Sequence, residues 1–305
     1  MVNFGQAIKG KIRVILIFSL LSFGLVGTAQ SADFSFAIIA DPHIDGTISH
    51  EERLMDCVEW INQHYNEENI GLVFVVGDIG WGEDGENIRK AKEILDNLVI
   101  PYIPIIGDNE IYTDEENFAK TFEQNYNALA AQLDNFGKAP TRVWNPNIED
   151  NSYFQSFSFN YDAVHFVVAD WVSRTPEDGD LNNFTDGTWQ WFVDDVVDSP
   201  KNKKENIVIL SHHPMCRYLG FPQYSFTDEE FNVIADFTSD YADYIYANFA
   251  GHFHFNGIAN RESRAGYSSY ITDATFEGAN TIRIVHVDTS GDICLYEHDI
   301  HELPT

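Results

Sequence analysis

The sequence has few basic residues. Its 305 residues include 18 Lys and Arg against 48 Asp and Glu, so the formal net charge is -30 and the pI is about 4.4. Affinity for nucleic acid comes mostly from Lys and Arg side chains that neutralise backbone phosphates. Anionic membrane surfaces attract basic segments in the same way. The scarcity of cations therefore argues against nucleic acid and against an anionic membrane surface as partners.

Cysteine is also scarce. The chain has three, Cys57, Cys216 and Cys294, and no two of them form a CxxC pair. A zinc ribbon or a thioredoxin-type motif is therefore unsupported. Because the number is odd, at least one thiol has no partner within the chain, and the sequence does not choose a pair. The surroundings of Cys57 and Cys294 predict core positions, on a helix and on a strand.

The first 31 residues differ in composition from the rest of the chain. Three basic residues precede an apolar run over 14–26, and small residues follow that run. This order is typical of a secretory signal peptide, and the run is shorter than the about 20 residues that span a bilayer. We therefore expect a signal peptide at 1–31, cleaved after Ala29 or Ser31, and a secreted or periplasmic protein. An uncleaved anchor is the alternative.

The remainder, 32–305, has the pattern of a single α/β domain. Hydrophobic residues make up 44% and aromatic residues 14% of the chain, which is enough for a large core. Short apolar runs alternate with segments of helical spacing, and this alternation favours an α/β fold. Long polar loops are expected at 140–151 and 173–186. The main strand-like runs are 34–40, 71–76, 102–106, 207–210 and 244–250, and the helical segments are 51–66, 88–98, 118–133 and 189–197.

Polar motifs follow five of the strand-like runs. In open α/β sheets, ligands bind beyond the carboxyl ends of the strands, so residues at these positions are expected to share one rim. Each motif alone carries little information, but five that supply Asp, Asn or His in succession predict a metal cluster. The motifs are Asp41-Pro42-His43, Gly77-Asp78, Gly107-Asp108-Asn109-Glu110, Ser211-His212-His213-Pro214 and Gly251-His252-Phe253-His254.

In this order the motifs resemble the pattern of the calcineurin-like metallophosphoesterases. That pattern is Asp-x-His, Gly-Asp, Gly-Asn-His-Asp/Glu, His-x-Pro or His-His-Pro, and Gly-His-x-His. The resemblance runs from about Phe34 to Asp299. It implies a two-sheet β-sandwich flanked by helices, with the metal site at the carboxyl ends of the strands. It also implies two divalent metal ions, with Mn, Fe and Zn as the candidates.

The resemblance also assigns metal ligands to residues of this chain. It implies that the first ion is held by Asp41, His43, Asp78 and His254. It implies that the second ion is held by Asp78, Asp108, His212 and His252, with Asp78 bridging the two. Carboxylate oxygen and imidazole nitrogen ligands suit such ions. Two ions neutralise phosphoryl oxygens and activate water, so the implied reaction is attack of an activated hydroxide on the phosphorus of a phosphate ester.

The third motif departs from the family pattern. In an ungapped alignment, Asp108 replaces a neutral Asn ligand, and Asn109 replaces a His that protonates the leaving group or polarises the phosphate. Asn cannot act as a general acid, a role worth about 10²–10⁴-fold in rate. Either Glu110 supplies the proton, or the substrate has a good leaving group, or the enzyme is slow. In the alternative register Asn109 is the metal ligand and Glu110 takes the His position; we prefer the ungapped register.

Three further residues near the motifs have open interpretations. Purple acid phosphatases, a branch of this superfamily, carry Tyr three residues after the Asp of the second motif, where this chain has Trp81. A Tyr-ligated ferric ion is therefore not expected. Trp81 and Trp171 are interpreted as core or as pocket walls, with core preferred. His213 either supports the site from outside the ligand set or is exposed.

The sequence as a whole predicts an exported, metal-dependent hydrolase of small-molecule phosphate esters. It does not separate phosphomonoesters from phosphodiesters. The alternative is a catalytically weak or inactive relative that binds metal or a phosphorylated ligand. We expect no nucleic-acid partner and no stable membrane association after signal cleavage, and the oligomeric state stays open.

Overall fold

The computed structural model describes residues 33–82, 85–138, 142–175, 178–217, 224–259 and 264–304. The predicted signal peptide at 1–31 lies outside these residues. The described part forms fourteen strands and five helices, all within the unit Ser31–Thr305. Among the described residues, no helix combines the length and the apolar character needed to cross a membrane.

The helices and strands follow the predicted runs closely. Each strand-like or helical run named above overlaps an element of the same type. The helices are α1 (Ile48–His64), α2 (Glu86–Leu95), α3 (Asp108–Gln132), α4 (Thr188–Asp198) and α5 (Asp228–Ser239). The strands are β1 (Phe34–Ile39), β2 (Ile70–Val76), β3 (Tyr102–Ile105), β4 (Asp134–Lys138), β5 (Arg142–Asn145), β6 (Asp150–Tyr153), β7 (Phe157–Tyr161), β8 (Val164–Val168), β9 (Ile207–Leu210), β10 (Ile245–Ala250), β11 (Gly257–Ala259), β12 (Ser268–Ile271), β13 (Thr281–Asp288) and β14 (Leu295–Glu302).

Two large sheets form the inner layers. The first has the strand order β14-β13-β1-β2-β3, and the second has the order β11-β12-β10-β9-β8-β7-β4. Within the first sheet β1, β2 and β3 are parallel. Within the second, β8, β9, β10 and β12 are parallel. Antiparallel strands extend both sheets, and β5 pairs with β6 in a separate hairpin.

The core between the two sheets is aromatic. Phe36 of β1 lies 5.4 Å from Phe166 of β8 and 5.5 Å from Phe249 of β10, measured between ring centroids. Phe74 of β2 lies 5.6 Å from Phe36. All four rings are fully buried, and the pairs of rings are T-shaped or tilted, as aromatic side chains prefer. These contacts join the sheets face to face.

Helices cover the outer faces of both sheets. Side chains alternate between the two faces of a strand, so Val208 and Leu210 of β9 join the core between the sheets while Ile207 and Ile209 face outward. The outward pair packs in a second cluster with apolar residues of α4 and α5. Apolar residues of α1, α2 and α3 belong to the core cluster of the first sheet. The predicted fold class, a mixed α/β two-sheet sandwich flanked by helices, is confirmed.

Helix α3 begins earlier than its apolar spacing predicts. The spacing predicts a start near Phe118, but α3 begins at Asp108, directly after β3. Its first turn is held by Glu110, which accepts a hydrogen bond from the backbone N–H of Gly107 at 2.7 Å. The first turns are largely polar, so apolar periodicity does not detect them.

Helix α5 and the hairpin β5–β6 were not predicted. The hairpin includes most of the segment 140–151, which was expected to be a loop. Only alternate residues of β5 are buried, Val143 and Asn145, which is too weak a pattern to indicate a strand. Helix α5 begins with a reciprocal cap, because Thr227 accepts from the N–H of Glu230 and Glu230 accepts from the N–H of Thr227. The sequence signals for α5 are therefore this cap and the helical spacing of its buried residues Phe231, Ile234, Ala235 and Thr238.

The three cysteines are free thiols, and all are buried. Cys57 lies on α1 in the core, as predicted, and burial raises the pKa of its thiol to about 12. Cys294 is also a core residue, but it lies just before β14 rather than within a strand. A thiol with so high a pKa is a poor nucleophile and a poor metal ligand.

A buried ion cluster ties α3 to the segment that follows β8. The guanidinium of Arg174 makes two hydrogen bonds to the carboxylate of Asp170, at 2.8 and 2.9 Å, and a third to Glu115 of α3 at 3.1 Å. The side chains of Arg174 and Asp170 are 2% and 0% exposed. Burial opposes the charge on Arg174, but Asp170 and Glu115 outweigh burial and raise its pKa. The charges of this cluster therefore compensate one another inside the protein.

We expect Arg174→Ala to be strongly destabilising. It leaves the buried carboxylate of Asp170 without its cation, and such a loss costs about 3–5 kcal/mol. The free energy of unfolding in urea measures the effect. The matched control is Lys204→Ala, which removes an exposed partner of Asp243 and should change the free energy by less than about 0.5 kcal/mol. Equal effects of the two changes would contradict the interpretation.

Candidate metal centre

Polar side chains from five strand ends meet at one rim of the sandwich. Strands β1, β2 and β3 end shortly before Asp41, Asp78 and Asp108, and β9 and β10 end shortly before His212 and His252. The first three strands belong to the first sheet and the last two belong to the second. The rim therefore draws on the carboxyl ends of parallel strands in both sheets, where ligand sites of α/β proteins are found.

The first group consists of Asp41, His43, Asp78 and His254. Their ligand atoms all lie within 4.8 Å of one another. Nε2 of His43 lies 3.2 Å from a carboxylate oxygen of Asp78, and Nε2 of His254 lies 3.8 Å from one of Asp41. The four residues that the resemblance implied for the first ion are thus brought together.

The second group consists of Asp78, Asp108, His212 and His252. Ligand atoms of the first three lie within 4.8 Å of one another. Nε2 of His212 lies 2.6 Å from Asp108 and 3.4 Å from Asp78, and Nδ1 of His252 lies 3.4 Å from Asp108. Asp78 belongs to both groups, as a bridging ligand would.

Hydrogen bonds at Nδ1 orient two histidines of the cluster. Nδ1–H of His212 donates to the carbonyl oxygen of Val76 at 3.0 Å, and Nδ1–H of His254 donates to the carboxylate of Glu277 at 2.8 Å. In a neutral ring only one nitrogen carries a proton, so a cation can bind Nε2 of His254. It can bind Nε2 of His212 when it displaces the proton that this atom shares with Asp108 at 2.6 Å. Metal-ligating histidines commonly have such an outer contact, which orients the ring.

The backbone of the cluster is held in an uncommon conformation. Five of its residues have positive φ angles: Asp41 at 47°, His43 at 46°, Asp78 at 48°, His252 at 69° and His254 at 53°. Such a conformation costs about 1–3 kcal/mol per non-glycine residue, and it tends to occur at functional sites. The fold therefore holds these side chains in place at a cost to stability.

Two glycines of the motifs are explained by close packing. A Cβ atom on Gly107 would overlap the backbone N and a carboxylate oxygen of Asp78, and one on Gly251 would overlap the carboxylate of Asp41. Any larger residue would displace a member of the cluster. The glycine that precedes Asp108 and the one that precedes His252 are therefore steric requirements of the site.

The cluster concentrates negative charge away from water. Asp41, Asp78 and Asp108 are 0%, 3% and 8% exposed. Burial raises the pKa of Asp41 to about 7. Burial also opposes ionisation of Asp108, but hydrogen bonds from His212 and His252 outweigh it and hold the pKa of Asp108 well below its ordinary value. Buried carboxylates need compensating cations, so the donor chemistry of both groups fits divalent metal ions.

Asn109 and Asp108 contact different parts of the cluster. Its side chain NH₂ donates to Asp78 at 3.2 Å and to Nδ1 of His43 at 3.1 Å, and its backbone N–H donates to Asp78 at 3.0 Å. Asp108, by contrast, lies with Asp78 and His212 in the second group. Asn109 thus contacts the cluster as a hydrogen-bond donor, whereas Asp108 offers a carboxylate ligand.

Glu110 does not reach the cleft, contrary to the interpretation that it supplies a catalytic proton. It is fully buried, and its two carboxylate oxygens accept hydrogen bonds from the backbone N–H groups of Gly80 at 2.9 Å and Gly107 at 2.7 Å. Its role here is to connect the loop after β2 with the start of α3. Its carboxylate is therefore not positioned to protonate a leaving group.

A cleft of about 320 Å³ opens beside the two groups. Of the residues that line it, Asn109, Tyr224 and Phe253 belong to neither group. Tyr224 had no signal in the sequence, because it follows a Gly- and Pro-containing segment without apolar periodicity. No Lys or Arg is among the described residues of the lining, which are His43, Asp78, Asp108, Asn109, Tyr224, His252, Phe253 and His254.

The two tryptophans have different environments. Trp171 is fully buried in the second core cluster, as the preferred interpretation predicted. Trp81 is 52% exposed, so the core interpretation is wrong for it. It follows the loop after β2, where its backbone N–H donates to the carbonyl oxygen of Ile44 at 2.8 Å. Trp81 does not line the described cleft.

His213 lies beside the second group and is fully buried. Its ring centroid is 4.0 Å from that of His252 and 5.2 Å from that of His212. Burial, reinforced by the neighbouring His252 and His212, holds its pKa well below the ordinary value for histidine. Of the two interpretations open for His213, the exposed one is therefore wrong.

A two-sheet sandwich with an Asp- and His-rich cluster at its strand ends defines a candidate metal-binding protein. A model of the calcineurin-like phosphoesterase family matches residues 34–256. This chain therefore belongs to the calcineurin-like phosphoesterase family.

Solved structures with a similar fold include two phosphatases. One is a purple acid phosphatase from yellow lupin (Lupinus luteus) seeds, at 12% identity and a TM-score of 0.48, with 90% of this chain and 54% of that chain covered. The other is a phosphatase from Mycoplasma pneumoniae, at 11% identity and a TM-score of 0.48, with 90% of this chain and 96% of that chain covered. This chain thus spans about half the length of the lupin protein. Comparison with curated proteins found no match.

We expect Asp108→Ala and Asn109→Ala to differ in metal content. Asp108→Ala removes a ligand of the second group and should lower the affinity for one of the two ions by more than about 100-fold. Asn109→Ala removes only hydrogen bonds to Asp78 and His43, so the affinity for metal should fall by no more than about 10-fold. Metal analysis after dialysis against graded chelator measures both. The opposite result, loss with Asn109→Ala and retention with Asp108→Ala, would show that the alternative register is correct.

Proposed function

We propose that the protein is an exported phosphoesterase in which two divalent cations occupy the first and second groups and a small-molecule phosphate ester binds in the adjacent cleft. The observation that carries this proposal is the convergence of seven carboxylate and imidazole side chains from five strand ends, with Asp78 common to both groups. Membership of the calcineurin-like phosphoesterase family supports it.

The donor atoms suit Mn, Fe or Zn. When bound, such cations offset the negative charge of the phosphoryl group and lower the pKa of water. The protein's part is to hold the ligands before the substrate arrives. The five strained backbone positions and the hydrogen bonds from His212 and His254 to Val76 and Glu277 perform this task. A preorganised site loses little free energy in reorganisation during the reaction.

Asn109 limits the chemistry at the leaving group. Its amide is anchored on Asp78 and His43 and lines the cleft, so it is placed to orient a phosphate ester by hydrogen bonding. It cannot release a proton to an alkoxide. We therefore propose that phosphate esters with good leaving groups, such as phenolates, are hydrolysed faster than esters whose leaving group is an alkoxide. This proposal about the leaving group covers phosphate monoesters and phosphate diesters alike.

The alternative is a weak or inactive relative that binds metal or a phosphorylated ligand. The observation that favours it is the absence of a proton donor at Asn109 together with the buried position of Glu110, whose carboxylate is engaged by two backbone N–H groups. Loss of general acid catalysis alone lowers a rate by about 10²–10⁴-fold. Turnover with a demanding leaving group separates the two candidates.

We expect the purified protein to hydrolyse aryl phosphate mono- or diesters with added Mn or Zn, and Asp41→Asn to lower kcat/KM by at least about 10²-fold. Asp41 accepts a hydrogen bond from the backbone N–H of His252 at 3.0 Å. The amide oxygen of Asn can accept the same hydrogen bond, but Asn lacks the negative charge of a carboxylate ligand. The matched control is Asp162→Asn, an exposed residue at the opposite end of β8, which should retain the parent rate.

Metal content is measured on the same samples. The alternative would be supported if the parent binds two ions but shows no hydrolysis, or only hydrolysis that Asp41→Asn leaves unchanged. Absence of stoichiometric metal from the parent, even after incubation with Mn or Zn, would contradict both candidates. Hydrolysis that persists unchanged in excess chelator would contradict metal dependence.

Export is proposed from the amino-terminal sequence, in which basic residues, an apolar run and small residues follow in order. We expect the full chain, expressed in a bacterial host, to leave the cytoplasm and to begin at Gln30 or Ala32, as intact mass would show. Leu20→Arg places a charge in the apolar run and should retain the full-length chain in the cytoplasm, whereas Leu20→Ile should not. Cytoplasmic recovery of the parent with its first residues intact would refute export.

A further inference from the structure

His213 is not accounted for by the hydrogen bonds of the protein. Its side chain is fully buried, and among the described residues neither ring nitrogen has a hydrogen-bond partner. A neutral imidazole has one donor and one acceptor to satisfy. Each unsatisfied group costs about 1–3 kcal/mol when buried, and such a group calls for an explanation, for example a bound ion.

The loop around His213 does not need the imidazole. The carbonyl oxygen of His213 accepts the hydroxyl of Ser211 at 2.7 Å, and that hydroxyl in turn accepts from Asn248 at 2.9 Å. Asn248 also accepts the N–H of Met215 at 2.8 Å. The backbone on both sides of His213 is therefore fixed by other residues, and an apolar ring of similar size would fill the same space.

Two ring nitrogens of neighbouring histidines lie close together beside His213. Nε2–H of His252 donates to the carbonyl oxygen of Tyr224 at 3.1 Å, which leaves Nδ1 with a lone pair in the neutral ring. Nε2 of His212 lies 3.2 Å from that Nδ1 and 2.6 Å from a carboxylate oxygen of Asp108, a contact that needs a proton on Nε2. A cation bound by these rings would replace that proton.

Ligand nitrogens of His212, His213 and His252 all lie within 4.8 Å of one another. We propose that His213 is a third imidazole ligand of the cation held by the second group. This inference rests on the proposed function, because it adds a ligand to one of the two cations proposed there. It accounts for one of the two unsatisfied nitrogens of His213, which is buried beside the rings of His212 and His252.

The additional nitrogen makes the two cation positions chemically unequal. The first group offers two carboxylates and two imidazoles, whereas the second, with His213, offers three imidazoles and the carboxylates of Asp78 and Asp108. Nitrogen donors favour Zn over Mn, and carboxylate donors accept Mn more readily. We therefore expect the protein to retain one Zn at the second group in the presence of excess Mn.

The test compares the parent with His213→Phe, which keeps the ring and removes both nitrogens. Each protein is stripped with chelator and refilled with Zn in competition with a metal indicator. We expect His213→Phe to lower the affinity of the tighter site for Zn by at least about 10-fold. We also expect it to alter the visible spectrum of bound Co(II). The metal-free variant should unfold at a urea concentration no lower than the metal-free parent, because it buries no unsatisfied nitrogen.

The matched control is His298→Phe, a partly buried histidine of β14 that bonds Tyr246 outside the cleft. It should leave Zn affinity and the Co(II) spectrum unchanged. If His213→Phe is insoluble, His213→Leu gives the same readout with a smaller side chain.

Equal Zn affinity and an unchanged Co(II) spectrum in His213→Phe would overturn the role of His213, while the metal-dependent function would stand. An equal loss of affinity in His298→Phe would also overturn it, since the effect would then be general. A parent that binds no Zn, Mn or Co would overturn the proposed function itself, and this inference with it.

Discussion

The site depends on the burial of three carboxylates, Asp41, Asp78 and Asp108, at the rim where two sheets meet. Their charges cannot be dispersed into water. Imidazoles lie beside all three, and backbone N–H groups donate to Asp41 and Asp78. The donor set that results fits divalent cations. The strained backbone at Asp41 and Asp78 is tolerated because the surrounding sheets hold it. The glycines at 107 and 251 follow from the same crowding.

Asp170 shows that an aspartate after a buried strand is not sufficient for a metal ligand. It lies beyond the carboxyl end of β8, as Asp41 lies beyond that of β1, and both are buried. The difference is the partner. Arg174 provides a fixed positive charge at 2.8 Å from Asp170, whereas Asp41 faces only histidines and another carboxylate. One carboxylate is neutralised within the chain, and the other is available to an external cation.

The third motif is where this protein departs most from its family's pattern. Asp108 places a carboxylate in the second group where the family pattern has a neutral Asn. Asn109 keeps a hydrogen bond to Asp78 and gives up proton transfer. Glu110 contributes to the position of the loop after β2 rather than to the cleft.

Much of the fold and most of the candidate site could be predicted from the sequence. Buried parallel strands such as β1 and β2 are continuous apolar runs, and each is followed by its polar motif. The strands and the seven candidate ligand residues are therefore visible in the local sequence. What could not be read locally depended on partners distant in the chain. The first turn of α3 and the hairpin β5–β6 lack apolar periodicity, and Tyr224 carried no signal at all. The exposure of Trp81 and the burial of Glu110 depend on contacts with other loops.

The sequence by itself determined the order and spacing of the strand-end motifs, because alternation and turn residues are encoded within a few neighbouring positions. Only the tertiary structure decided which buried carboxylates pair with a basic side chain of the protein, as Asp170 does with Arg174, and which do not, as at Asp41. It also brought His213 beside His252, since that proximity requires β9 and β10 to pair. Those contacts join residues far apart in the chain, and no local pattern records them.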